Sequence, residues 1–256
     1  MLRAIIFDFD GILVDSEPLI MRITQLMAAR ESWHVSAEDY YRDYLALDDR
    51  GIIEHLYASH SRPLDLRRRD ELVAWKAHTY WEAIRDGLPP EPGAVDFVRS
   101  VSARYPLAIA SGSLRPEIEY LLQKLELRDR FPVLISAEDT EHGKPDPEIY
   151  LKALEALRST MDDFRLPIPD DKKTLTPART PFHRKSAIEN WQLEARECLV
   201  IEDAPAGIEA AHAAGMKCLA LAHTRPLEAL GAADWSCPGF AQVSLREIEA
   251  GFHSIA

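Results

Sequence analysis

Residues 4–11 read Ala-Ile-Ile-Phe-Asp-Phe-Asp-Gly, a short apolar run that ends in two carboxylates and a glycine. A continuous apolar run of this kind is typical of a strand buried on both faces, as in a parallel sheet. Asp8 and Asp10 are two residues apart, so on an extended chain both side chains point the same way and reach one space beyond the strand. The run therefore predicts a buried strand with two carboxylates gathered at its end.

Four later apolar runs repeat this pattern, at residues 107–110, 133–135, 198–201 and 217–221. The first of them ends in Ser111-Gly112 and the third in Glu202-Asp203, and each of these two is followed by residues of helical period. Strands that alternate with helices predict an α/β fold with a doubly wound, parallel, Rossmann-like sheet.

Residues 17–88 break this alternation, because they contain no convincing strand. Their apolar residues recur with helical period in four segments, at 18–30, 37–47, 50–59 and 65–85. An all-helical segment placed just after the first strand predicts an inserted helical domain, with residues 1–16 and 89–256 forming the α/β core. Prolines near both crossings between the two parts are consistent with linkers.

Residues 159–195 are a second irregularity in the pattern. Prolines and charged residues leave this stretch with little hydrophobic period, and so long an irregular stretch inside a compact domain is uncommon. We therefore expect an irregular insertion within the core. Because the insertion enters the strand at 198–201 from the edge opposite Glu202 and Asp203, we predict that it does not contact those residues or their ligands.

The composition excludes several classes of protein. The chain has 256 residues, with 42 acidic against 30 basic ones and a formal net charge of -12. Such a charge repels phosphate backbones and anionic lipid, so neither nucleic acid nor a membrane is an expected partner. No stretch approaches the roughly 18 apolar residues of a membrane span. The three cysteines form no close metal-type pair and favour buried, reduced thiols, which predicts a cytoplasmic protein.

The paired acids carry the strongest chemical signal. Asp8 and Asp10 repel each other, and hard oxygens held this close suit a Mg²⁺ ion between them. A solvated turn is the alternative interpretation of these two residues. Glu202 and Asp203 end another predicted strand and could face the same edge of the sheet, while the alternative for Asp203 is a helix cap.

Two further strand or loop ends offer groups that bind anions. Ser111 and Gly112 precede a predicted helix, whose N-terminus presents unpaired N–H groups, although a simple cap explains the serine equally well. Lys144 lies between a glycine and a proline, where an exposed turn is the alternative. Together these four strand and loop ends supply carboxylates that can hold a metal ion and donors that can hold phosphate oxygens. A phosphoryl group bound with Mg²⁺ requires both.

With these motifs the sequence resembles the haloacid dehalogenase superfamily. Residues 8–17 are similar to its first motif, Ser111 to the second, Lys144-Pro145 to the third, and Glu202-Asp203 with residues 206–211 to the fourth. The order and spacing of the motifs fit over nearly the whole chain apart from 159–195. Within the superfamily the chain is most similar to β-phosphoglucomutases and small sugar-phosphate or phosphoglycolate phosphatases, which carry a helical cap where residues 17–88 fall.

The resemblance implies a role for each matching residue. Asp8 would be the nucleophile that forms an aspartyl-phosphate, and Asp10 the general acid and base. An acid at the position of Asp10 favours phosphate transfer, because dehalogenases and phosphonate hydrolases lack it. The implied cofactor is Mg²⁺, with the metal-binding residues Asp8, Asp10, Glu202 and Asp203. The implied contacts to the phosphoryl oxygens come from Ser111, Gly112 and Lys144.

The resemblance leaves a phosphatase and a phosphomutase open, and hydrolysis is favoured. Arg50 and Lys76 occupy cap positions that face the substrate in β-phosphoglucomutase, although ordinary solvated helix charge is the alternative. Ile20 and Leu114 stand where the mutase has a histidine and a lysine, and Arg115 is a candidate to replace that lysine.

The predicted function is therefore Mg²⁺-dependent hydrolysis of a small phosphorylated metabolite, a sugar phosphate above all, by a monomer or a homodimer. A phosphosugar mutase and a non-catalytic Mg²⁺- or phosphate-binding regulator are the alternatives. We also expect Asp48 and Asp49 either to neutralise Arg50 or to orient it toward a sugar hydroxyl, and the nine histidines to be packing or surface residues.

Overall fold

The computed structural model describes residues 1–45, 47, 49–161 and 193–253. Its centre is a six-stranded sheet in which every neighbouring pair of strands is parallel. The strands are β1 (Ala4–Phe7), β2 (Leu107–Ala110), β3 (Val133–Ile135), β4 (Cys198–Glu202), β5 (Lys217–Leu221) and β6 (Trp235–Cys237), in the order β3-β2-β1-β4-β5-β6. The strand order reverses at β1, the place where open α/β sheets bind ligands.

Helices cover both faces of this sheet, so its central strands are buried on both sides. Ile5 and Phe7 of β1 belong to one hydrophobic cluster, whereas Ala4 and Ile6 belong to another. The first cluster includes residues of α5 (Ala94–Ser102), α6 (Arg115–Lys124) and α9 (Leu245–His253). The second includes residues of α7 (Glu148–Met161) and α8 (Pro205–Ala213). The predicted α/β fold with a doubly wound parallel sheet is thus confirmed.

The segment after β1 is helical, as its periodicity predicts. Its elements are α1 (Glu17–Arg30), the single turn α2 (Ala37–Asp39), a π-helical turn (Tyr40–Tyr44), α3 (Asp49–Ser59) and α4 (Leu66–Ala83). A separate hydrophobic cluster joins them, with Met27, Tyr40, Ile53 and Leu56 fully or almost fully buried.

The entrance and exit of this helical segment lie side by side. The backbone N–H of Asp15 donates to the carbonyl of Pro89 at 3.0 Å, and that of Glu91 donates to Leu13 at 3.1 Å. Ile23, Tyr80 and Ile84 also pack into the cluster on the sheet, so the segment rests on the sheet. Its independence as a cap domain stays a prediction.

Two parts of the sequence-based prediction need correction. Strand β6 was not predicted, since Trp235-Ser236-Cys237 is short and only partly buried. The insertion predicted at 159–195 overlaps the end of α7, which continues to Met161, and a 3₁₀ turn at Ala195–Glu197. Residues 162–192, and with them the prediction that the insertion avoids the site, lie outside the described residues.

The helices in the described ranges lack the combination of length and apolar composition that spanning a membrane requires. Cys198 and Cys218 are buried and Cys237 is half-buried, all three as free thiols, which agrees with the prediction for the first two.

Phe131→Ala tests the packing of the sheet against its helices. The Phe131 ring is fully buried and meets the ring of Phe7 edge-on at 5.6 Å between centroids. Removing it should lower the free energy of unfolding by about 3–5 kcal/mol, measured by urea denaturation, because a cavity forms where the ring was. The control Leu66→Ala removes a side chain that is 68% exposed and should cost about 0.5 kcal/mol or less. Equal costs for the two variants would contradict this packing.

Candidate active site

The carboxyl ends of three central strands bring the predicted polar residues to one edge of the sheet. Asp8 follows β1, Ser111 follows β2, and Glu202 is the last residue of β4. The Asp8 backbone N–H donates to the carbonyl of Ile201 at 2.9 Å, and that of Ser111 donates to Ile135 at 3.0 Å. The parallel ladder thus extends one residue past β1 and β2, which fixes the direction of both side chains.

Lys144 joins two of these strand ends by ion pairs. Its Nζ lies 2.9 Å from Oδ1 of Asp8 and 2.6 Å from Oε1 of Glu202. The turn around Lys144 is exposed at Gly143 and Pro145, but the lysine side chain itself is only 16% exposed and points inward to these acids. Burial alone would lower the pKa of Lys144, but Asp8 and Glu202 outweigh burial and raise it above its ordinary value. The lysine therefore stays a cation at neutral pH.

Both carboxylate oxygens of Glu202 have partners. Oε1 accepts from Lys144 and, at 2.5 Å, from the hydroxyl of Tyr150. Oε2 accepts from the backbone N–H groups of Asp203 and Ala204 at 3.0 and 3.3 Å. A Cβ on Gly207 would lie 1.9 Å from Oε1, so only glycine at this point of α8 leaves room for the buried carboxylate.

Asp203 turns toward the loop that follows β5. One of its oxygens accepts a hydrogen bond from the hydroxyl of Thr224. A Cβ on Gly11, whose φ is +69°, would lie 2.3 Å from the same oxygen, so this glycine serves both the turn and the close approach. The N-cap of α8 is Ala204, and no side chain caps it. The helix-cap interpretation of Asp203 is therefore wrong.

Asp10 lies beside the loop that contains Ser111 and Gly112, the predicted anion-binding residues. One of its carboxylate oxygens accepts from the hydroxyl of Ser113. The other, Oδ1, is buried and has no hydrogen-bond partner among the described residues. A buried carboxylate oxygen without a partner is costly, which suggests that a ligand completes it.

Burial and mutual repulsion favour the protonated forms of two of these acids. Burial, opposed by Lys144 and assisted by Glu202 and Asp10, raises the pKa of Asp8 from 3.8 to about 7. Burial, with Glu202 and Asp8, raises the pKa of Asp203 well above its ordinary value. The site therefore holds more negative charge than Lys144 balances.

A divalent cation fits this donor set. Asp8, Glu202 and Asp203 each offer a carboxylate oxygen, and these oxygens lie within 4.8 Å of one another. An all-oxygen, anionic set of this kind suits Mg²⁺ rather than a softer metal. The raised pKa values of Asp8 and Asp203 are what a cationic ligand would relieve.

The second predicted anion-binding element lies beside these acids. Ser111 is almost fully buried, and its hydroxyl oxygen accepts from the N–H of Ser113 at 3.1 Å, which leaves its O–H able to donate. The N-cap of α6 is Leu114, so Ser111 is not a helix cap. Gly112 is exposed in the same loop and faces the cavity described next.

A cavity of about 540 Å³ separates this edge of the sheet from the helical segment. Both predicted cap residues line it: Arg50 of α3 is exposed, whereas Lys76 of α4 is only 4% exposed. Asp49 was expected to act on Arg50 but instead pairs with Lys76, at 2.5 Å. Lys76 is therefore not a solvated helix charge. Asp48, the other acid expected beside Arg50, lies outside the described residues.

A family model described as haloacid dehalogenase-like hydrolase matches residues 2–164. The chain belongs to the haloacid dehalogenase-like hydrolases. A phosphorylated carbohydrates phosphatase of Thermotoga maritima is 33% identical over 163 residues, which cover 61% of this chain and 71% of that protein. A fructose-1-phosphate phosphatase of Escherichia coli (strain K12) is 26% identical over 224 residues, which cover 83% of this chain and 92% of that protein. In fold, the crystal structure of a β-phosphoglucomutase of Clostridium difficile matches with a TM-score of 0.76 and 18% identity. The match covers 99% of this chain and 98% of that one.

Sequence reasoning missed several residues of this hydrolase site. Thr224 follows β5. The expectation that polar residues gather where the parallel strands end therefore also predicts a polar group at this position. Tyr150 gave no signal, because a buried aromatic residue of α7 looks like core. His223 was interpreted as packing or surface, yet its Nδ1 lies 3.0 Å from the carbonyl oxygen of Gly11 and 3.3 Å from Oε2 of Glu91.

One sequence-based suggestion for the mutase alternative is wrong. Arg115, the candidate to replace the missing lysine at Leu114, donates to the carbonyl of Leu134 at 2.8 Å and pairs with Asp139 at 2.6 Å. The Arg115 guanidinium is therefore already paired on the β3 side of the sheet.

Asp8→Asn should stabilise this hydrolase in the presence of a chelator at pH 8. The pKa of Asp8 is higher in the folded chain, at about 7, than in the unfolded chain. Its carboxylate therefore costs stability as pH rises above about 4, and the full cost is reached above pH 7. Asparagine does not ionise, so the variant should unfold roughly 3–8 °C higher at pH 8, and the gain should shrink toward pH 5.

Thermal unfolding followed by circular dichroism measures this difference. The control is Asp96→Asn, which removes an exposed carboxylate in the first turn of α5 and should leave the unfolding temperature unchanged. A variant at position 8 that is less stable than the parent chain at pH 8 would contradict the account.

Proposed function

We propose that the protein is a Mg²⁺-dependent phosphatase that hydrolyses a small phosphate monoester, a sugar phosphate, through an aspartyl-phosphate on Asp8. The contact of Asp8 with Lys144 beside two further buried acids carries the proposal. Relatives named as phosphatases of phosphorylated carbohydrates and of fructose 1-phosphate support this substrate class.

Asp8 is the proposed nucleophile that attacks phosphorus. It lies at the end of a rigid, fully buried strand, and its contact with Lys144 holds one carboxylate oxygen in place. A carboxylate is a weak nucleophile toward a phosphate dianion because the two repel each other. Asp8, Asp203 and the backbone carbonyl of Asp10 would hold Mg²⁺, together with Glu202 directly or through water, and the ion would supply positive charge that offsets this repulsion.

Asp10 is the proposed general acid and base. Its carboxyl group is close enough to Ser113 for a hydrogen bond, so it lies next to the loop that would receive the phosphoryl group. It would protonate the leaving alcohol in the first step and take a proton from water in the second. The Oδ1 atom without a partner is the position available for that proton transfer.

The phosphoryl oxygens would be held by Ser111, Gly112 and Lys144. The Ser111 hydroxyl can still donate, the Gly112 loop lines the cavity, and the cationic Lys144 touches the nucleophile itself. Donors placed around the oxygens stabilise the charge of phosphoryl transfer.

A phosphosugar mutase is the second candidate, supported by Arg50 and Lys76 at the cavity. Ile20 and Leu114 line the same cavity in place of a histidine and a lysine, and Arg115 is paired elsewhere. A mutase has to bind a second phosphate and exclude water, and these replacements remove groups suited to that. Hydrolysis is therefore favoured. The expected acids are all present at the sheet edge, which also favours catalysis over a binding-only role.

We further propose a cytoplasmic enzyme that works as a monomer or homodimer. The buried free thiols Cys198 and Cys218 suit a reducing compartment, and the net charge of -12 argues against nucleic-acid or membrane partners.

Phosphate release from a panel of sugar phosphates and small phosphate esters tests the proposed function. Release should require Mg²⁺, stop with a chelator, and fall by about a thousandfold or more in Asp8→Asn. The control Asp96→Asn should retain the activity of the parent chain.

Interconversion of glucose 1- and 6-phosphates after addition of a bisphosphate primer, without phosphate release, would instead establish the mutase. Release that persists in Asp8→Asn would contradict the proposed nucleophile.

A further inference from the structure

The cavity next to the candidate catalytic residues has little positive charge to spare. Both lysines that line it are already paired, Lys76 with Asp49 and Lys144 with Asp8 and Glu202. Any part of a substrate that extends from the phosphoryl group toward the helical segment would lie in this cavity. The charges on its walls therefore decide which esters fit.

Glu117 and Glu141 are the two acids of the core that line this cavity, and of these two Glu117 is half-buried whereas Glu141 is exposed. Glu117 lies in the first turn of α6 and takes part in no ion pair among the described residues. Burial first, and then the nearby carboxylate of Asp10, raise its pKa to about 7, and Asp49 adds to this, while a hydrogen bond from the backbone N–H of Leu114 and the charge of Lys76 oppose it. Glu117 therefore lines the cavity within electrostatic range of both the proposed acid catalyst, Asp10, and the lysine of the helical segment, Lys76.

A further acid near the cavity, Glu17, adds to the negative electrostatic potential there. Glu17, at the start of α1, accepts a hydrogen bond from the hydroxyl of Tyr40 at 2.5 Å. Burial raises the pKa of Glu17 and Asp10 adds to this, while the hydrogen bond from Tyr40 and the charges of Arg225 and Lys76 oppose the rise. Lys76 thus faces several carboxylates rather than the one with which it pairs.

We infer that Glu117 determines specificity: the cavity accepts phosphate monoesters whose remaining part is uncharged and rich in hydroxyl groups, and rejects those with a second anionic group. Carboxylates accept hydrogen bonds from hydroxyls and repel a phosphate or carboxylate held nearby without water between them. This inference rests on the proposed phosphatase and names its substrate class.

Arg50 is the cavity cation that would favour the opposite specificity. It is exposed, so solvent and salt screen its charge more than that of the half-buried Glu117. Glu141, also exposed, lines the same cavity. On this comparison Glu117 outweighs Arg50.

Sorbitol 6-phosphate and 6-phosphogluconate test the inference, because they differ only at C1, a hydroxymethyl group in one and a carboxylate in the other. Both are assayed as substrates, and as inhibitors of p-nitrophenyl phosphate hydrolysis, with Mg²⁺ at pH 8, where Glu117 is ionised. The parent chain should prefer the sorbitol ester about twentyfold or more, as kcat/KM or as inhibition constants.

Glu117→Gln keeps the shape of the side chain and removes its charge. The preference should fall about tenfold in this variant, mainly through tighter binding of 6-phosphogluconate, seen in KM rather than kcat. The matched control is Glu119→Gln on the same helix, because Glu119 pairs with Arg128 at 3.2 Å and lies outside the cavity lining. That control should keep the preference of the parent chain.

Three results would overturn the inference. The parent chain could prefer 6-phosphogluconate, which would make Arg50 the determining residue. Glu117→Gln could leave the preference unchanged, or Glu119→Gln could reduce it equally, which would show a general charge effect. If p-nitrophenyl phosphate is not hydrolysed and neither ester binds, the proposed function itself fails and this inference falls with it. Hydrolysis of p-nitrophenyl phosphate separates that failure from the others.

Discussion

The ion pairs that Lys144 makes with Asp8 and Glu202 hold the candidate site together. They link the ends of β1 and β4 to the loop before α7, at distances of 2.9 and 2.6 Å, in a place that water barely reaches. One lysine does not balance the acids gathered there, and the pKa of Asp8 rises to about 7 as a result of burial and its acidic neighbours. The folded chain therefore contains an anionic space that a cation and a phosphoryl group would complete. Gly207 and Gly11 are required because only they let Glu202 and Asp203 approach so closely.

Much of this arrangement follows from the sequence by one rule, that the carboxyl ends of parallel strands share an edge. The rule places Asp8, Ser111 and Glu202 together because each follows or ends a continuous apolar run, and the structure brings them there. It does not give the strand order, which depends on the handedness and packing of the connections, nor β6, whose three residues are too short and too exposed to form a continuous apolar run.

Contacts between distant parts of the chain were the least predictable. Asp49 pairs with Lys76 rather than with its neighbour Arg50, because α3 and α4 pack side by side in a way that no local pattern records. Tyr150 binds Glu202 from 52 positions away. The same limit applies to the cavity: the sequence supplied Arg50 and Lys76 as candidates, but the position of Glu117 opposite them emerged only from the fold.

Whether Asp8 is phosphorylated is the central question, and a burst experiment with Asp10→Asn answers it. Nitrophenolate leaves without a general acid, so p-nitrophenyl phosphate should phosphorylate this variant at Asp8, while hydrolysis of the intermediate is slow without the base. Asp10→Asn should rapidly release about one nitrophenolate per chain, and borohydride reduction of the quenched protein should convert Asp8 to homoserine, detected by peptide mass spectrometry. A burst without modification of Asp8, or phosphate trapped on another residue, would contradict this role of Asp8.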